Sequence, residues 1–352
     1  MRREDFIPET IWIRRDDGWM VPVRRSDDPE AWLREVNGSE AVTTQVDDGS
    51  DEYDGKGIIP TSSSTAGWLM DKMLTLLDVR PGMNILEIGA GTGYNAALLA
   101  ERAEPGSVAT IEVDPIVATH ARAALARLRL PVTVITGDGA DGYAQRAPFD
   151  RVIATANVFT VPPAWLAQTR PRGRIVVPIA GSFHHGALAC LTVAADGTAH
   201  GRFHGEAPFM YMRNQRRVRN VWGTDERTAR ITYTGLHPIE PFTDFHAGFA
   251  FSTRMQGCTT GRRPEEDGTE ILWISHHPSG SWGSFIPGTD RHEVCQSGPR
   301  NLWNELEDTY RWWIDADSPD HTRIGITVTT EGQKFWLDTP EHTLPAIQGS
   351  AV

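Results

Sequence analysis

The residues best suited to chemistry lie in one run, Leu86-Glu87-Ile88-Gly89-Ala90-Gly91-Thr92-Gly93-Tyr94. Glycines at 89, 91 and 93 allow a sharp turn and let a ligand approach the backbone closely. A helix starting after them aims free N–H groups and its positive dipole end at the same place. Spacing then separates the candidate ligands. A dinucleotide fingerprint calls for glycine or alanine at position 94, which is Tyr94. A GxGxG run preceded by an acid, Glu87, suits S-adenosylmethionine, which has no pyrophosphate and whose ammonium tolerates a nearby carboxylate. Two more acids belong to the same edge. Glu112, 23 positions after Gly89, is placed to accept the two ribose hydroxyls of an adenosine. Asp138, between Gly137 and Gly139, is placed to receive the adenine amino group. Each reads alone as a turn or a solvated acid. Together, at successive strand ends, they describe one adenosine-shaped crevice.

Such a crevice needs a parallel sheet beneath it, and residues 56 to 195 supply the pattern. Leu69, Met70, Met73, Leu74 and Leu77 recur on one face of a helix expected over Thr65 to Leu77, which Arg80-Pro81-Gly82 closes. Asn84 to Ile88, Ser107 to Val113, Val132 to Thr136, Arg151 to Thr155 and Arg174 to Val177 read as strands. Tyr94 to Ala100 reads as a helix, and Asp114-Pro115 as an N-cap and first turn before the apolar stripe Val117, Ala121, Ala124, Leu125, Leu128. Ala164-Trp165-Leu166 opens a further helix. Apolar strands alternating with helices predict an α/β, Rossmann-like sheet covered on both faces. Flanking it are an N-terminal extension over 1–55, with a strand at Ile11-Trp12-Ile13, and an acidic stretch, Asp47 to Gly55, expected as a solvated loop. Gly186 to Val193 adds a strand followed by a turn at Asp196-Gly197. The expected division is 1–55, a cofactor-binding domain over 56–199, a connector over 200–219, and an accessory domain over 220–352. In the last, the αβ rhythm gives way to short runs carrying Trp273, Trp282, Trp303, Trp312, Trp313 and Trp336. It reads as α+β, with a helix near Asn301 to Trp313 and a hairpin joining Ile324–Val328 to Gly332–Leu337.

Composition limits the functions available. The chain has 352 residues, 34 Lys and Arg against 46 Asp and Glu, and a net charge of -12, so a broad cationic face for nucleic acid or anionic lipid is not expected. Cys190, Cys258 and Cys295 lie far apart, which excludes a disulfide framework or cysteine-rich zinc site and fits a reducing compartment. The opening residues lack an apolar stretch and no segment approaches 18 uninterrupted apolar residues, so a cytoplasmic protein without a membrane span is expected. His184-His185 and His276-His277 lack a third spaced ligand, and no metal is expected. The basic run Arg213, Arg216, Arg217, Arg219 reads either as a solvated hinge or as a surface for an acidic peptide.

The ordered motifs Val79–Ala100 (VRPGMNILEIGAGTGYNAALLA), Gly137–Tyr143 (GDGADGY), Ala147–Ala156 (APFDRVIATA) and Gln168–Pro178 (QTRPRGRIVVP) resemble the protein-L-isoaspartate (D-aspartate) O-methyltransferase family. The resemblance covers about residues 56 to 180. It implies a class I S-adenosylmethionine-dependent methyltransferase fold with an accessory domain appended. It also implies that Glu87, Gly89, Ala90, Gly91, Thr92, Gly93, Tyr94, Asn95, Glu112, Val113, Gly137, Asp138, Gly139 and Thr155 bind the cofactor. The family's substrate-facing serine falls on Ser62 in the serine-rich loop expected at Pro60-Thr61-Ser62-Ser63-Ser64-Thr65, with Ser63 an alternative because Ser64 replaces the family's proline. Its late glycine pair is Arg172-Gly173 here, and typical members are much shorter. A longer actinobacterial branch is similar from end to end, including Phe6–Trp12 and Gly201–Met210. Some of that branch resemble tailoring enzymes of ribosomally made peptides (lanthipeptides, graspetides), which methylate an aspartate that then closes to an aspartimide. The implied partner is a peptide or protein bearing an aspartyl or isoaspartyl carboxylate, a macrocyclic precursor peptide among them, recognised by the accessory domain.

A carboxylate is already ionised at neutral pH, so its methylation requires alignment and dehydration rather than a base. Because sulfonium and carboxylate charges cancel on transfer, neutral donors serve better than Lys or Arg. Ser62 is expected to orient the carboxylate, with Thr61 or Ser63 shaping the pocket. Asn157, after the fourth strand, reads as either a polar wall or a strand-end turn.

Overall fold

The computed structural model describes residues 1–216 and 229–347. Arg217, Val218 and Arg219 of the basic run lie outside them. The chain forms two units. One comprises Met1–Pro178, Cys190–Ala199 and Phe209–Asn214, and the other Ile179–Ala189, His200–Pro208 and Gln215–Val352.

The first unit opens with β1 (Thr10–Arg14), β2 (Met20–Arg24), α1 (Pro29–Val36), β3 (Val42–Val46) and β4 (Pro60–Ser64), the strands ordered β2-β1-β3-β4. Ile11, Trp32, Val36 and Val42 pack into a small core of their own, so the first 55 residues are a folded element. One expectation is corrected here. The serine-rich stretch is a strand rather than a loop, held antiparallel to β3 with a bulge at Gln45, and Ser62 and Ser64 face inward. Serine has little strand preference, but pairing with the β-branched residues of β3 overrides it. The acidic stretch is largely exposed, as expected, and is ordered by its own side chains. Asp47 accepts from the N–H groups of Ile58 and Ile59 at 2.8 and 2.9 Å, and Asp51 from that of Gly55 at 3.0 Å, tying down their own turn.

Then follow α2 (Gly67–Leu77), β5 (Ile85–Ile88), α3 (Tyr94–Arg102), β6 (Val108–Glu112), α4 (Pro115–Arg127), β7 (Val132–Thr136), β8 (Phe149–Ala154), α5 (Pro163–Ala167) and β9 (Thr169–Ile179). These five strands run parallel in the order β9-β8-β5-β6-β7. β5 and β8 are buried at every residue, as strands covered on both faces must be. The chain builds outward from β5 first one way, through β6 and β7, and then the other, through β8 and β9. The β5/β8 seam is therefore the topological switch point of a Rossmann-like sheet, where ligands bind at the carboxyl edge.

After β10 (Ala187–Val193) and β11 (Ala199–Glu206), the second unit continues with β12 (Arg230–Thr234), α6 (Glu240–Thr243), α7 (Phe245–Arg254), β13 (Thr259–Pro264), β14 (Glu270–His276), β15 (Ser281–Ile286), β16 (His292–Ser297), α8 (Leu302–Asp315), β17 (Ile324–Thr329) and β18 (Gly332–Leu337). β12-β16-β15-β14-β13 form an antiparallel sheet. Phe251, Leu272, Ile274, Phe285, Leu302, Trp303 and Leu306 fill the core beside it. The expected β17–β18 hairpin and the helix after Asn301 are both present, giving the α+β character read from the sequence. Among the described residues no helix is long and apolar enough to cross a membrane.

Candidate active site

The glycine turn closes β5 against β6. The N–H groups of Gly89 and Ala90 donate to the Ile111 carbonyl at 2.8 and 3.1 Å, and that of Gly93 to Ala90 at 2.8 Å. Gly89, Gly91 and Gly93 have φ of +93°, +51° and +85°, the left-handed region that L side chains avoid. Space is also short. A Cβ on Gly89 would stand 2.8 Å from Thr155 Oγ1, and one on Gly91 would stand 3.2 Å from the Ser63 carbonyl oxygen. That second approach brings the serine strand directly against the glycine loop.

Glu112 ends β6 with Oε2 accepting from Gly91 N–H and Oε1 from Asp114 N–H, both at 3.0 Å. Burial raises its pKa, and those two N–H groups oppose the rise. Asp114 caps α4 by accepting from the N–H groups of Ile116 and Val117. Although burial opposes it, bonds from Arg213, Gln45 and those two amides hold Asp114 down to about 2. Val113 and Ile116 leave 39% and 61% of their surface open beside these acids. Asp138 begins the turn after β7, accepting from Ala140 N–H at 2.9 Å, while the Gly137 N–H donates to the Glu112 carbonyl at 3.0 Å. Gly139 is packed so closely that a Cβ would meet Ile88 at 2.4 Å, and its carbonyl accepts from Trp165 Nε1 at 2.8 Å. Thr155 Oγ1 donates to the Gly89 carbonyl at 2.7 Å. Thr92 and Asn95 are buried at the start of α3, and Tyr94 packs against Phe6 with the rings tilted by 54° and their centroids 5.5 Å apart.

Glu87 differs from its sequence reading. It is fully buried, with Oε1 accepting from Asn95 Nδ2 at 2.7 Å and Oε2 from Thr110 Oγ1 at 2.6 Å. Desolvation pushes its pKa up to about 7 against those two bonds. Glu87 thus joins β5 to α3 and β6.

On the opposite wall, Thr44 Oγ1 lies 3.2 Å from Ser62 Oγ, placed to donate to it, and Ser62 is 9% exposed. Thr61 Oγ1 donates to Gln45 Oε1 at 2.9 Å. Asn157 is buried, and its Nδ2 donates to the Phe209 carbonyl at 2.5 Å, so it anchors the segment 209–214. That segment is the part sequence reasoning missed. Arg213 reaches Asp114 and Asp48, and Asn214 Nδ2 reaches both oxygens of Asp138 at 3.3 and 3.1 Å. No spacing rule marks these contacts, because they join residues far apart in sequence. Among the described residues no group of three or more His, Cys, Asp or Glu is arranged to hold a metal. His276 Nδ1 lies 2.8 Å from Ser279 Oγ, and burial lowers the pKa of His184 to about 3.

The carboxyl edge thus gathers a left-handed glycine cradle, a carboxylate on its amide and a second acid one strand over, all within residues 40–212, which match the family model of protein-L-isoaspartate (D-aspartate) O-methyltransferase. Those residues resemble that family. A relative of that name from Methanopyrus kandleri is 41% identical over 141 residues, 39% of this chain and 62% of its own. One from Aeropyrum pernix is 35% identical over 161 residues, 45% of this chain and 62% of its own. The match to three archaeal relatives spans 62%, 52% and 50% of their lengths. A solved structure titled protein-L-isoaspartate O-methyltransferase aligns over 96% of this chain and 92% of its own, with a TM-score of 0.52 and 20% identity, a likeness of fold. The family segment carries the class I methyltransferase sheet, and the residues at its carboxyl edge fit S-adenosylmethionine.

Proposed function

We propose that the chain is an S-adenosylmethionine-dependent O-methyltransferase that acts on the free α-carboxylate of isoaspartyl residues, and secondarily on the side-chain carboxylate of aspartyl residues, in proteins or peptides. The observation that carries this reading is the approach of the serine strand to the glycine loop at Gly91, next to the Glu112–Gly91 bond. Bound S-adenosylmethionine supplies an electrophilic methyl carbon on a sulfonium. Glu112 takes the ribose hydroxyls, exchanging its amide partners for them, and Asp138 accepts from the adenine amino group. With Thr44 donating to Ser62 Oγ, the Ser62 hydroxyl proton is left for a substrate carboxylate oxygen. Ser63, whose carbonyl abuts Gly91, and Thr61, fixed on Gln45, set the height of that hydroxyl above the loop. Ala90, Thr92, Asn95 and Thr155 hold the loop's shape, and Val113 offers an apolar face to the base. No proton needs to move. These groups act by orientation, which is worth several powers of ten when the reacting atoms are held in line.

A second reading is peptide tailoring, in which a constrained precursor aspartate is methylated and closes to an aspartimide, with residues 220–352 recognising the precursor. It is motivated by the second unit, which has its own core beyond the family match. The solved chain titled as an isoaspartate methyltransferase aligns across nearly the whole length, which supports the repair reading first. The test offers labelled methyl donor with an isoaspartyl peptide, its aspartyl isomer and a macrocyclic aspartyl peptide. Preferred labelling of the isoaspartyl peptide is expected. Labelling of the macrocycle alone, followed by loss of methanol, would replace repair with tailoring. Absence of S-adenosylhomocysteine binding by folded protein would end both.

A further inference from the structure

Five residues of the first unit close a polar ring. The Asp48 N–H donates to Thr61 Oγ1 at 3.1 Å, and Thr61 Oγ1 donates to Gln45 Oε1 at 2.9 Å. Gln45 Nε2 donates to Asp114 Oδ2 at 3.0 Å. Arg213 Nη2 donates to that same Asp114 oxygen at 2.7 Å and lies 3.1 Å from Asp48 Oδ1, which completes the circuit. The ring joins three separate pieces. Thr61 belongs to the serine strand, Asp114 is the cap of α4 whose N–H holds Glu112, and Arg213 belongs to the segment 209–214. The next residue, Asn214, bonds Asp138, so two consecutive side chains touch the acids that flank the ribose and adenine positions. Arg213 and Asn214 lie just past the residues that match the family model.

Charge shows which member is decisive. Both carboxylates contact one nitrogen, Nη2, and Arg213 is the ring's only cation. Without it, Asp48 and Asp114 face each other, and like charges at short range push their elements apart. Asp114 is held by two amides of α4, so the displacement falls on the Asp48 turn, whose N–H holds Thr61 of the serine strand.

We infer that Arg213 is a positioning residue, which sets the serine strand and its Ser62 hydroxyl at the working distance from the cofactor edge. This rests on the methyltransferase reading above. The tests are Arg213→Gln, Arg213→Lys and the double variant Arg213→Gln with Asp48→Asn. Because a displacement of ~1 Å at a reacting pair costs about 100-fold, Arg213→Gln should lower kcat/KM for an isoaspartyl peptide by roughly 10- to 100-fold. S-adenosylhomocysteine affinity, read by calorimetry, should change less than about threefold, since Glu112, Gly91 and Asp138 are untouched. Lysine keeps a cation able to bridge both carboxylates and should restore most turnover, as should the double variant, which removes the repulsion. Turnover per folded molecule within twofold of wild type in Arg213→Gln overturns the inference, as does rescue of melting temperature by lysine without rescue of turnover. Hydrogen exchange separates this from the wider reading. The Asp48 amide should exchange faster in Arg213→Gln even if wild type proves inactive, and unchanged exchange there overturns the ring outright.

Discussion

Glu87 should make the first unit lose stability as pH rises, the reverse of an ordinary paired carboxylate. Its side chain is fully buried, and its pKa is raised from 4.5 to about 7, chiefly by desolvation, with bonds from Thr110 and Asn95 opposing. The folded state therefore holds a proton on Glu87 between those values, while the unfolded chain does not. The contribution is complete below the unfolded pKa, declines as pH climbs, and is gone above the folded pKa. A shift of this size, at 1.36 kcal/mol per unit, amounts to about 3 kcal/mol. Glutamine removes the titration and keeps the shape. Its Oε1 can accept from Thr110, and its Nε2 can donate to Asn95 Oδ1, a buried atom with no partner at present, once the Asn95 amide turns over. Urea-dependent hydrogen exchange of peptides spanning β5, followed from about pH 5 to about pH 8, gives the difference between wild type and Glu87→Gln. Wild type should fall relative to the variant by about 3 kcal/mol across that window and level off above it. Parallel curves would refute the reasoning, because they would mean that Glu87 stays ionised in the fold.

Three other expectations follow from contacts on either wall and from the second unit. Ser62→Ala should lower turnover up to about 10-fold, the worth of one oriented hydrogen bond, with S-adenosylhomocysteine affinity unchanged by calorimetry; unaltered turnover would remove Ser62 from the site. Gly89→Ala adds an L side chain at φ +93° and puts its Cβ 2.8 Å from Thr155 Oγ1, so stability and S-adenosylhomocysteine affinity should both fall, by about 1–3 kcal/mol for the backbone alone. Gly325→Ala places a Cβ 2.1 Å from the Trp336 indole and should loosen the β17–β18 hairpin by about 1–3 kcal/mol, seen as faster exchange in peptides spanning 324–337 with peptide methylation unchanged.

Local chemistry was legible wherever one element carried its own signal. Asp114 before Pro115 announced the start of α4, and the apolar run at Ile85–Ile88 announced a buried parallel strand, because capping and burial act over a few residues. Glu87 was misplaced because the motif records an acid next to a ligand loop but not which way the strand turns it. In a β-strand, alternate residues face opposite sides, and position 87 faces Thr110 and Asn95. The serine stretch was read as a loop because propensity is a weak guide when a neighbouring strand supplies the pairing. Gln45 carried no motif, and Asp48 and Arg213 stood out only as members of an acidic stretch and a basic run. Their grouping depends on a bulge in β3 and on a segment that returns to the first unit after two departures, and neither is written in any short run of residues.

That return also bears on charge at the proposed site. Methyl transfer from a sulfonium to a carboxylate cancels two charges, so a cation that grips the starting carboxylate stabilises the ground state more than the transition state and slows the step. Arg213 carries a charge that would do such harm if it were free. Asp48 and Asp114 occupy its Nη2, which leaves the cation to hold the wall in place. The hydroxyl of Ser62 is a neutral dipole, and a neutral donor loses little as the carboxylate charge disappears. Replacing Asp48 with asparagine while leaving Arg213 intact should therefore lower the peptide KM and kcat together, the signature of tighter ground-state pairing. A fall in kcat with KM unchanged would show that Asp48 acts on geometry alone.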